Sequence, residues 1–230
     1  MKRTVLAVAA LLSSAHVLTA QTIGALPDKS PYLDLNDKMR FGLVAGWLAT
    51  GSDAVGVGPK SAPIVGVRYD VPVGGPVYLT GTVFGTNTTR TVLDYTKSAA
   101  TRDIGTQSTG LVAASVTAAV SLTGTRSWHH LQPLVDVGIG VVSGQGDKVD
   151  ISGYKLGNLL TFTYGFGVRY ATGRNSELRF DLNQYWWQLH YPLTYRSTQG
   201  DPVAIRATGS LGSYTANTSL TVGWSIRSFR

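Results

Sequence analysis

A stretch of strict two-residue alternation, running from Leu160 to Leu182, constrains the fold of this chain most strongly. The large residues of its first arm share one face, and they are Leu160, Phe162, Tyr164, Phe166, Val168 and Tyr170. A turn over 171–176 follows, and the second arm sets Leu178 and Phe180 against charged residues. A period of two is that of a β-strand with two unlike faces, so the stretch predicts a β-hairpin.

The charged face of this hairpin indicates which side lies inside a barrel. In a soluble barrel the large apolar side chains would fill the interior. Here the opposite face carries Glu177, Arg179 and Asp181 together with glycines. Charges of both signs suit a narrow interior, where they can pair. The apolar face must then contact something other than water, and hydrocarbon is the natural candidate.

The same alternation recurs along the chain and predicts eight strands. Their ranges are 39–49, 63–73, 77–90, 108–122, 130–142, 160–170, 177–189 and 214–227. Connections after the second, fourth and sixth strands are short, whereas the others are longer. Short turns at one rim and long loops at the other are typical of outer-membrane barrels. We therefore predict an all-β protein with an eight-stranded antiparallel up-and-down transmembrane β-barrel.

Composition excludes several classes of protein. The 230 residues include 27 glycines and no cysteine, so a disulfide framework, a thiolate metal site and a cysteine-linked lipid anchor are excluded. The net charge is +7 for the whole sequence and +5 after residue 20, and this mild basic excess is spread over turns and loops, which argues against a nucleic-acid-binding stripe. After residue 20 no apolar run approaches the roughly 18 residues of a membrane helix. No cofactor or metal site is predicted.

The amino terminus has the pattern of a cleaved secretory signal, because two basic residues precede an apolar run and then small residues. We place cleavage between Ala20 and Gln21, and a cut nearer Ala15 is the alternative. The chain then divides into a signal peptide, a periplasmic lead-in and a barrel domain, at 1–20, 21–38 and 39–230.

Two further features complete the pattern. The tetrapeptide at Gly66–Tyr69 recurs at Gly167–Tyr170, in strands that run toward the same rim, and the chain ends in the strand-like segment Thr221–Arg230. With the export signal and the eight alternating strands, the chain resembles the small outer-membrane barrels of the OmpA and OmpX kind. The resemblance implies location in the bacterial outer membrane and insertion by the barrel-assembly machinery.

The inward charges are expected to pair across the lumen, because eight strands leave room only for side chains. They are Arg68, Asp70, Asp136, Arg169, Glu177, Arg179, Asp181 and Arg227. We expect an ion-pair plug in a polar lumen. The alternative is a constricted path for small solutes through gaps left by inward glycines, at 42, 46, 66, 138, 140, 165, 167 and 223.

Aromatic residues near the predicted strand ends suggest interfacial girdles in contact with outer-membrane lipid and lipopolysaccharide. Those near the short-turn rim are Tyr69, Trp128, Tyr170 and Trp224. Those toward the long-loop rim are Trp47, Tyr185, Trp186 and Trp187.

The function favoured by these patterns is non-enzymatic, a structural or surface-interaction role carried by loops at 50–62, 91–107, 143–158 and 190–213. The expected contact surface for an unidentified external partner consists of Tyr191, Tyr195, Arg196 and Arg206. Three alternatives stay open: a narrow porin-like channel, a lipid-modifying enzyme that uses His190 with Ser143 or Ser197, and a soluble lipocalin-like barrel.

Overall fold

The computed structural model describes residues 30–34, 38–146, 149–173, 175–196, 204–206 and 208–227. The chain divides into two compact units after Pro31, and the second unit, Tyr32–Arg230, contains every described strand. The described strands are β1 (Tyr32–Asp34), β2 (Arg40–Ala49), β3 (Ala62–Gly74), β4 (Val77–Leu93), β5 (Asp103–Ser121), β6 (Arg126–Trp128), β7 (Leu131–Gln145), β8 (Asn158–Ala171), β9 (Ser176–His190) and β10 (Gly212–Arg227). A 3-10 turn covers Leu193–Arg196. No helix among these described residues has the length and apolar character needed to cross a bilayer.

The eight long strands form a closed antiparallel ring. Each pairs with the next long strand in the chain, and β10 pairs with β2 from Thr218↔Ala49 to Arg227↔Arg40. Closure leaves no long strand with an unpaired edge. The predicted eight-stranded antiparallel up-and-down barrel is confirmed. The predicted signal peptide and most of the lead-in lie outside the described residues.

Strand boundaries lie close to the predicted ones except at the long-loop end of one hairpin. There β4 and β5 continue beyond the predicted ends, so the expected loop 91–107 shortens to 94–102. Asp103 and Ile104 are both exposed. Alternation of polarity disappears at the start of β5, where residues 103–106 are exposed on both faces, and a register shift between Val92 and Leu93 breaks the phase at the end of β4, so the pattern underestimates these strands.

A short strand pair at the short-turn rim was not expected. The region 123–129 was predicted to be a turn and 21–38 an irregular lead-in, but β6 pairs with β1 from Tyr32↔Trp128 to Asp34↔Arg126. His129 and His130 join β6 to β7 with φ angles of 49° and 68°. A two-residue hairpin turn with positive φ at both positions normally carries Asn or Gly, so the sequence lacked the usual signal.

Exposure follows the two faces of the wall. On β8, for example, Leu160 and Phe162 are 61% and 55% exposed, whereas Thr161 and Thr163 between them are buried. The outward residues of the other long strands are likewise mostly apolar and exposed. Large apolar side chains therefore cover the outside of the barrel, which is the reverse of a soluble β-barrel.

Candidate functional site

The barrel interior is the site at which the chemistry-bearing residues meet, and it has two unlike halves. The half near the short turns holds an ion-pair cluster, defined as Arg40, Arg68, Asp70, Asp136, Arg169, Glu177, Arg179, Asp181 and Arg227. Each member is at most 7% exposed. The structure brings together all eight residues that the sequence predicted to share the lumen, and it adds Arg40.

Glu177, the second residue of β9, is the centre of one part of this cluster. Its carboxylate oxygens lie 3.0 Å from Nε of Arg40, 3.0 Å from Nε of Arg169 and 3.7 Å from Nη2 of Arg227. Among the described residues no group is aligned for a good hydrogen bond to either oxygen, so charge attraction dominates these contacts. Glu177 thus ties β9 to the first residue of β2, to β8 and to the last residue of β10.

Arg179 is the centre of the other part. Its guanidinium lies 2.7 Å from Asp181, 3.1 Å from Asp70 and 3.7 Å from Asp136. Asp181 also pairs with Arg68, with 2.6 Å between Nη2 and Oδ2. The two parts join where Arg169 approaches Asp70 to 3.7 Å. The cluster thereby links six of the eight long strands through side chains that cross the lumen.

Sequence reasoning missed three side chains that complete this cluster. Arg40 precedes the inward Gly42 by two residues, so the alternation rule could have identified it. The Tyr78 ring has the guanidinium carbons of Arg40 and Arg169 at 5.2 and 4.8 Å from its centroid. Arg169 also donates to Oε1 of Gln132 at 2.7 Å. Gln132 precedes the inward Asp136 by four residues, so the same rule could have identified it, whereas the pattern around Tyr78 gave no reason to single that residue out.

The half near the long loops contains a large apolar core beside buried polar residues such as Arg90 and Asn217, which corrects the expectation of a polar lumen throughout. Strand residues such as Leu48, Phe84 and Leu189 form a buried core there with loop residues. Tyr185 and Trp187, predicted to lie in an outer girdle, are 3% and 1% exposed and belong to this core. Alternation from Arg179 already assigns both to the inward face, and the prediction erred by grouping aromatics by position instead of phase.

The loops cap this core with three tyrosines. Tyr154, Tyr191 and Tyr195 lie with ring centroids 5.9–6.5 Å apart, and all three are buried. Tyr191 and Tyr195 were predicted to form an external contact surface, and that prediction is wrong for both because the 190–213 loop folds its rings inward. Arg196 is half-buried, and Arg206 is exposed.

Burial of these phenols favours their neutral form. It raises the pKa of Tyr195 to about 12, and it raises the pKa values of Tyr154 and Tyr191 well above the ordinary tyrosine value. The hydrogen bond that Tyr191 donates to Asp53, at 2.7 Å, is a further cause of its shift. The folded cap therefore favours the neutral form of all three tyrosine side chains.

Two carboxylates hold the backbone of the cap. Asp53 accepts from the backbone N–H groups of residues 55 to 58 at 3.0–3.3 Å, besides its bond from Tyr191. Asp150 accepts from the backbone of Ser152 and Tyr154 and pairs with the buried Arg90 at 2.7 Å. The contacts of Asp53 connect the loops after β2 and β9, and those of Asp150 connect the loop after β7 to the barrel. The Ser152 hydroxyl links the loops after β7 and β9, because it donates to the Tyr195 hydroxyl at 3.0 Å.

The inward glycines do not leave gaps for solutes. A Cβ atom added at Gly66 would lie 2.7 Å from Cα of Phe84, and one at Gly138 would lie 2.7 Å from Cα of Thr117. At Gly165 and Gly167 the neighbouring Asn183 and Asp181 side chains already occupy the space. These glycines allow adjacent strands to approach and curve, so among the described residues they do not supply the gaps that the alternative of a solute path requires.

The remaining predicted aromatics lie on the outer face. Their exposed fractions range from 41% to 51%, and they are Trp47, Tyr69, Trp128, Tyr170, Trp186 and Trp224.

The candidate enzyme residues do not converge among the described residues. His190 is exposed at the end of β9, and the Ser143 hydroxyl donates to Asn158 at 2.6 Å. Ser197 lies outside the described residues. No group of three or more His, Cys, Asp or Glu side chains within the described part of the chain could hold a metal ion.

Solved structures that this chain resembles include outer-membrane proteins. The outer membrane protein OprG from Pseudomonas aeruginosa aligns with a TM-score of 0.52 at 10% identity, over 85% of this chain and 99% of that one. Neisserial surface protein A (NspA) aligns with a TM-score of 0.50 at 9% identity, over 86% of this chain and 98% of that one. No family model and no curated protein sequence matches. At these identities the likeness concerns the fold, and the chain has the fold of a small eight-stranded outer-membrane β-barrel.

Proposed function

We propose that this chain is a non-enzymatic integral protein of a bacterial outer membrane, exported by a cleaved signal peptide, which presents a pre-organised loop layer at the cell surface. The observation that carries the proposal is the filled interior. An ion-pair cluster occupies one half of the barrel, and an apolar core with a tyrosine cap occupies the other. Such a barrel is a rigid support and not a conduit.

The outer wall supports the membrane part of the proposal. Side chains such as Val137, Phe162 and Leu220 are 55–64% exposed, which would be costly over so large a continuous surface in water. Closure of the ring satisfies the backbone hydrogen bonds that hydrocarbon cannot satisfy. Outward tryptophans toward both rims suit the two interfaces of a bilayer. Lipid and lipopolysaccharide are accordingly the partners proposed for the wall, and the barrel-assembly machinery for its insertion.

The loop cap supports the display part. A surface that recognises a partner costs less entropy on binding when it is already ordered. Asp53, Asp150 and the tyrosine cap order the described parts of the loops from within, so the outer residues of those parts are held in place. Leu193 is 73% exposed and Arg206 is exposed beside this cap. The external partner of this surface is one that contacts the outer residues of the loops, not the buried tyrosines.

Single cysteines test the orientation, because the natural sequence has none. Leu193→Cys introduces a thiol in the long-loop layer, and Thr125→Cys introduces one in the exposed turn after β5. On intact cells a membrane-impermeant maleimide is expected to label the first variant alone. After the outer membrane is permeabilised, both are expected to react. Labelling of Thr125→Cys on intact cells, with protection of Leu193→Cys, would contradict the proposed display.

Conductance tests the sealed interior against the channel alternative. Purified protein in a planar bilayer is expected to give no discrete steps, because the two halves of the interior are filled. Steps of uniform size that persist in the wild-type protein would favour a narrow porin-like channel. A plugging substitution at Gly138 is unsuitable as a control, since its Cβ would collide with β5.

A further inference from the structure

A polar notch interrupts the apolar outer wall across β9 and β10. Between the level of Tyr170 and the level of Trp186, the outward residues of β8, β9 and β10 are apolar apart from the hydroxyl groups of tyrosines. The two exceptions are Gln184 and Thr218. These two residues are paired directly across the strands. Polar side chains on a surface that faces hydrocarbon are costly, so their presence there indicates a role.

The geometry of the notch leaves hydrogen-bond donors available. Thr218 donates from Oγ1 to Oε1 of Gln184 at 2.9 Å, which fixes the amide and directs its nitrogen away from Thr218. Among the described residues no protein group accepts a hydrogen bond from that nitrogen. A cavity of about 310 Å³ opens beside it, lined by Tyr164, Phe166 and Leu182 as well as the polar pair. Gly165 and Asn183 complete its lining.

The residues around the notch indicate its depth in the bilayer. Trp186 follows Gln184 by two residues on β9, and Leu220, two residues from Thr218 on β10, is paired with Trp47 of β2. Two strand residues span about 6–7 Å, less when the strand is tilted. The notch therefore lies within one side-chain length of two outward tryptophans. Tryptophans of membrane barrels lie at the headgroup level, which adjoins the acyl ester linkages of the lipid.

We propose that the notch binds one lipid of the leaflet at the long-loop side through an ester carbonyl of its acyl chain. The Gln184 amide nitrogen donates to that carbonyl, and the chain lies in the cavity against Tyr164, Phe166 and Leu182. At this depth the ester carbonyl is the hydrogen-bond acceptor that a bilayer supplies, because the hydrocarbon below has none. The inference rests on the proposed membrane location of the barrel.

Ether-linked lipids provide a matched chemical test, since they have the same chains and headgroup but no carbonyl. The protein is placed in nanodiscs of dimyristoyl phosphatidylcholine or of its dialkyl ether analogue, and the side-chain amide of Gln184 is followed by NMR. Gln184→Leu assigns the resonance by its loss. We expect a downfield amide proton in the ester lipid and an upfield shift in the ether lipid. In Thr218→Val, where the amide is no longer fixed, the difference between lipids is expected to shrink.

Native mass spectrometry supplies a second readout. Wild-type protein is expected to retain one ester-linked lipid that Gln184→Leu loses, whereas Gln145→Leu, the same change at the exposed end of β7, retains it. Equal amide shifts in the two lipids, or equal lipid retention by Gln184→Leu and wild type, would overturn the site. Gln184 and Gln145 both lie on the outward face, and heat-modifiable gel mobility reports whether each variant forms the barrel. A folded barrel in the nanodisc that shows no difference refutes the notch alone, whereas failure to enter the nanodisc refutes the proposed membrane location.

Discussion

At the scale of single residues, the buried charges hold together only as a set. Glu177 is fully buried and has three arginines within 3.7 Å, so no water is available to solvate them if it is neutralised. Glu177→Gln keeps the shape and removes the charge. We expect it to lower the free energy of unfolding by about 3–5 kcal/mol, the usual cost of leaving one partner of a buried ion pair uncompensated. Urea titration of the barrel in micelles, followed by gel mobility, measures the effect.

An exposed ion pair at the short-turn rim provides the control for Glu177→Gln. Asp34 pairs with Arg126 at 2.9 Å, but both side chains are more than 60% exposed. Asp34→Asn is expected to change stability by no more than about 0.5 kcal/mol, as is usual for a solvated pair. If the two substitutions cost the same, the interior is hydrated and the ion-pair plug is not a buried structure.

Tyr195 gives the loop cap a specific dependence on pH. Its pKa is raised from about 10 in an unfolded chain to about 12. The folded state therefore holds the phenolic proton more tightly than the unfolded one. The resulting stabilisation is complete below pH of about 10 and is lost as pH rises through about 12. The difference in phenolate absorbance between wild type and Tyr195→Phe is expected to have a midpoint near 12. A midpoint near 10 would mean that the ring is solvated and the cap is open.

At the scale of strands, the glycines serve curvature and not conduction. Gly66 and Gly81 lie on adjacent strands but meet different surroundings. A Cβ at Gly66 would press on the Phe84 backbone at 2.7 Å, whereas one at Gly81 would meet only the Tyr69 carbonyl oxygen at 3.9 Å. We expect Gly66→Ala to destabilise the barrel by about 1–3 kcal/mol, the usual cost of overpacking, and Gly81→Ala to be nearly neutral. Equal costs for the two would contradict a role in close strand approach.

Most strands could be predicted from sequence because the barrel wall has an apolar and a polar face, so the residues of each strand alternate in polarity. Leu178 and Arg179 reveal opposite faces without knowledge of their partners. β1 and β6 could not be found in this way, since a three-residue pair at a solvated rim has no apolar face to reveal. The exposed start of β5 escapes prediction for the same reason, whereas the end of β4 escapes it because a register shift between Val92 and Leu93 interrupts the alternation.

The charged part of the interior is the easier to predict from sequence. Charges on the inward phase identify the ion-pair cluster, because few other environments accept them. Trp187 and Leu189 share the phase of Arg179, so alternation along β9 assigns both to the interior, but it does not show that loop residues pack against them. Tyr191 donates a hydrogen bond to Asp53, more than 130 residues away, and Tyr195 accepts one from Ser152 in a different loop, so no local pattern predicts that both rings turn inward.

At the scale of the whole molecule, the central claim is that hydrocarbon contacts the outer wall of the barrel and does not reach its interior. Trp186 and Trp187 are adjacent in sequence and face opposite ways, at 41% and 1% exposure. Two variants that each keep one of these tryptophans, with the other four of the five changed to phenylalanine, report the two faces separately.

Fluorescence quenching by brominated lipid in reconstituted vesicles tests this claim most directly. The protein that keeps Trp186 is expected to be strongly quenched, because bromine on the acyl chains reaches the ring. The protein that keeps Trp187 is expected to retain its emission. Strong quenching of Trp187 with little quenching of Trp186 would mean that the faces are reversed, and equal emission of both in brominated and ordinary lipid would mean that the wall does not contact hydrocarbon.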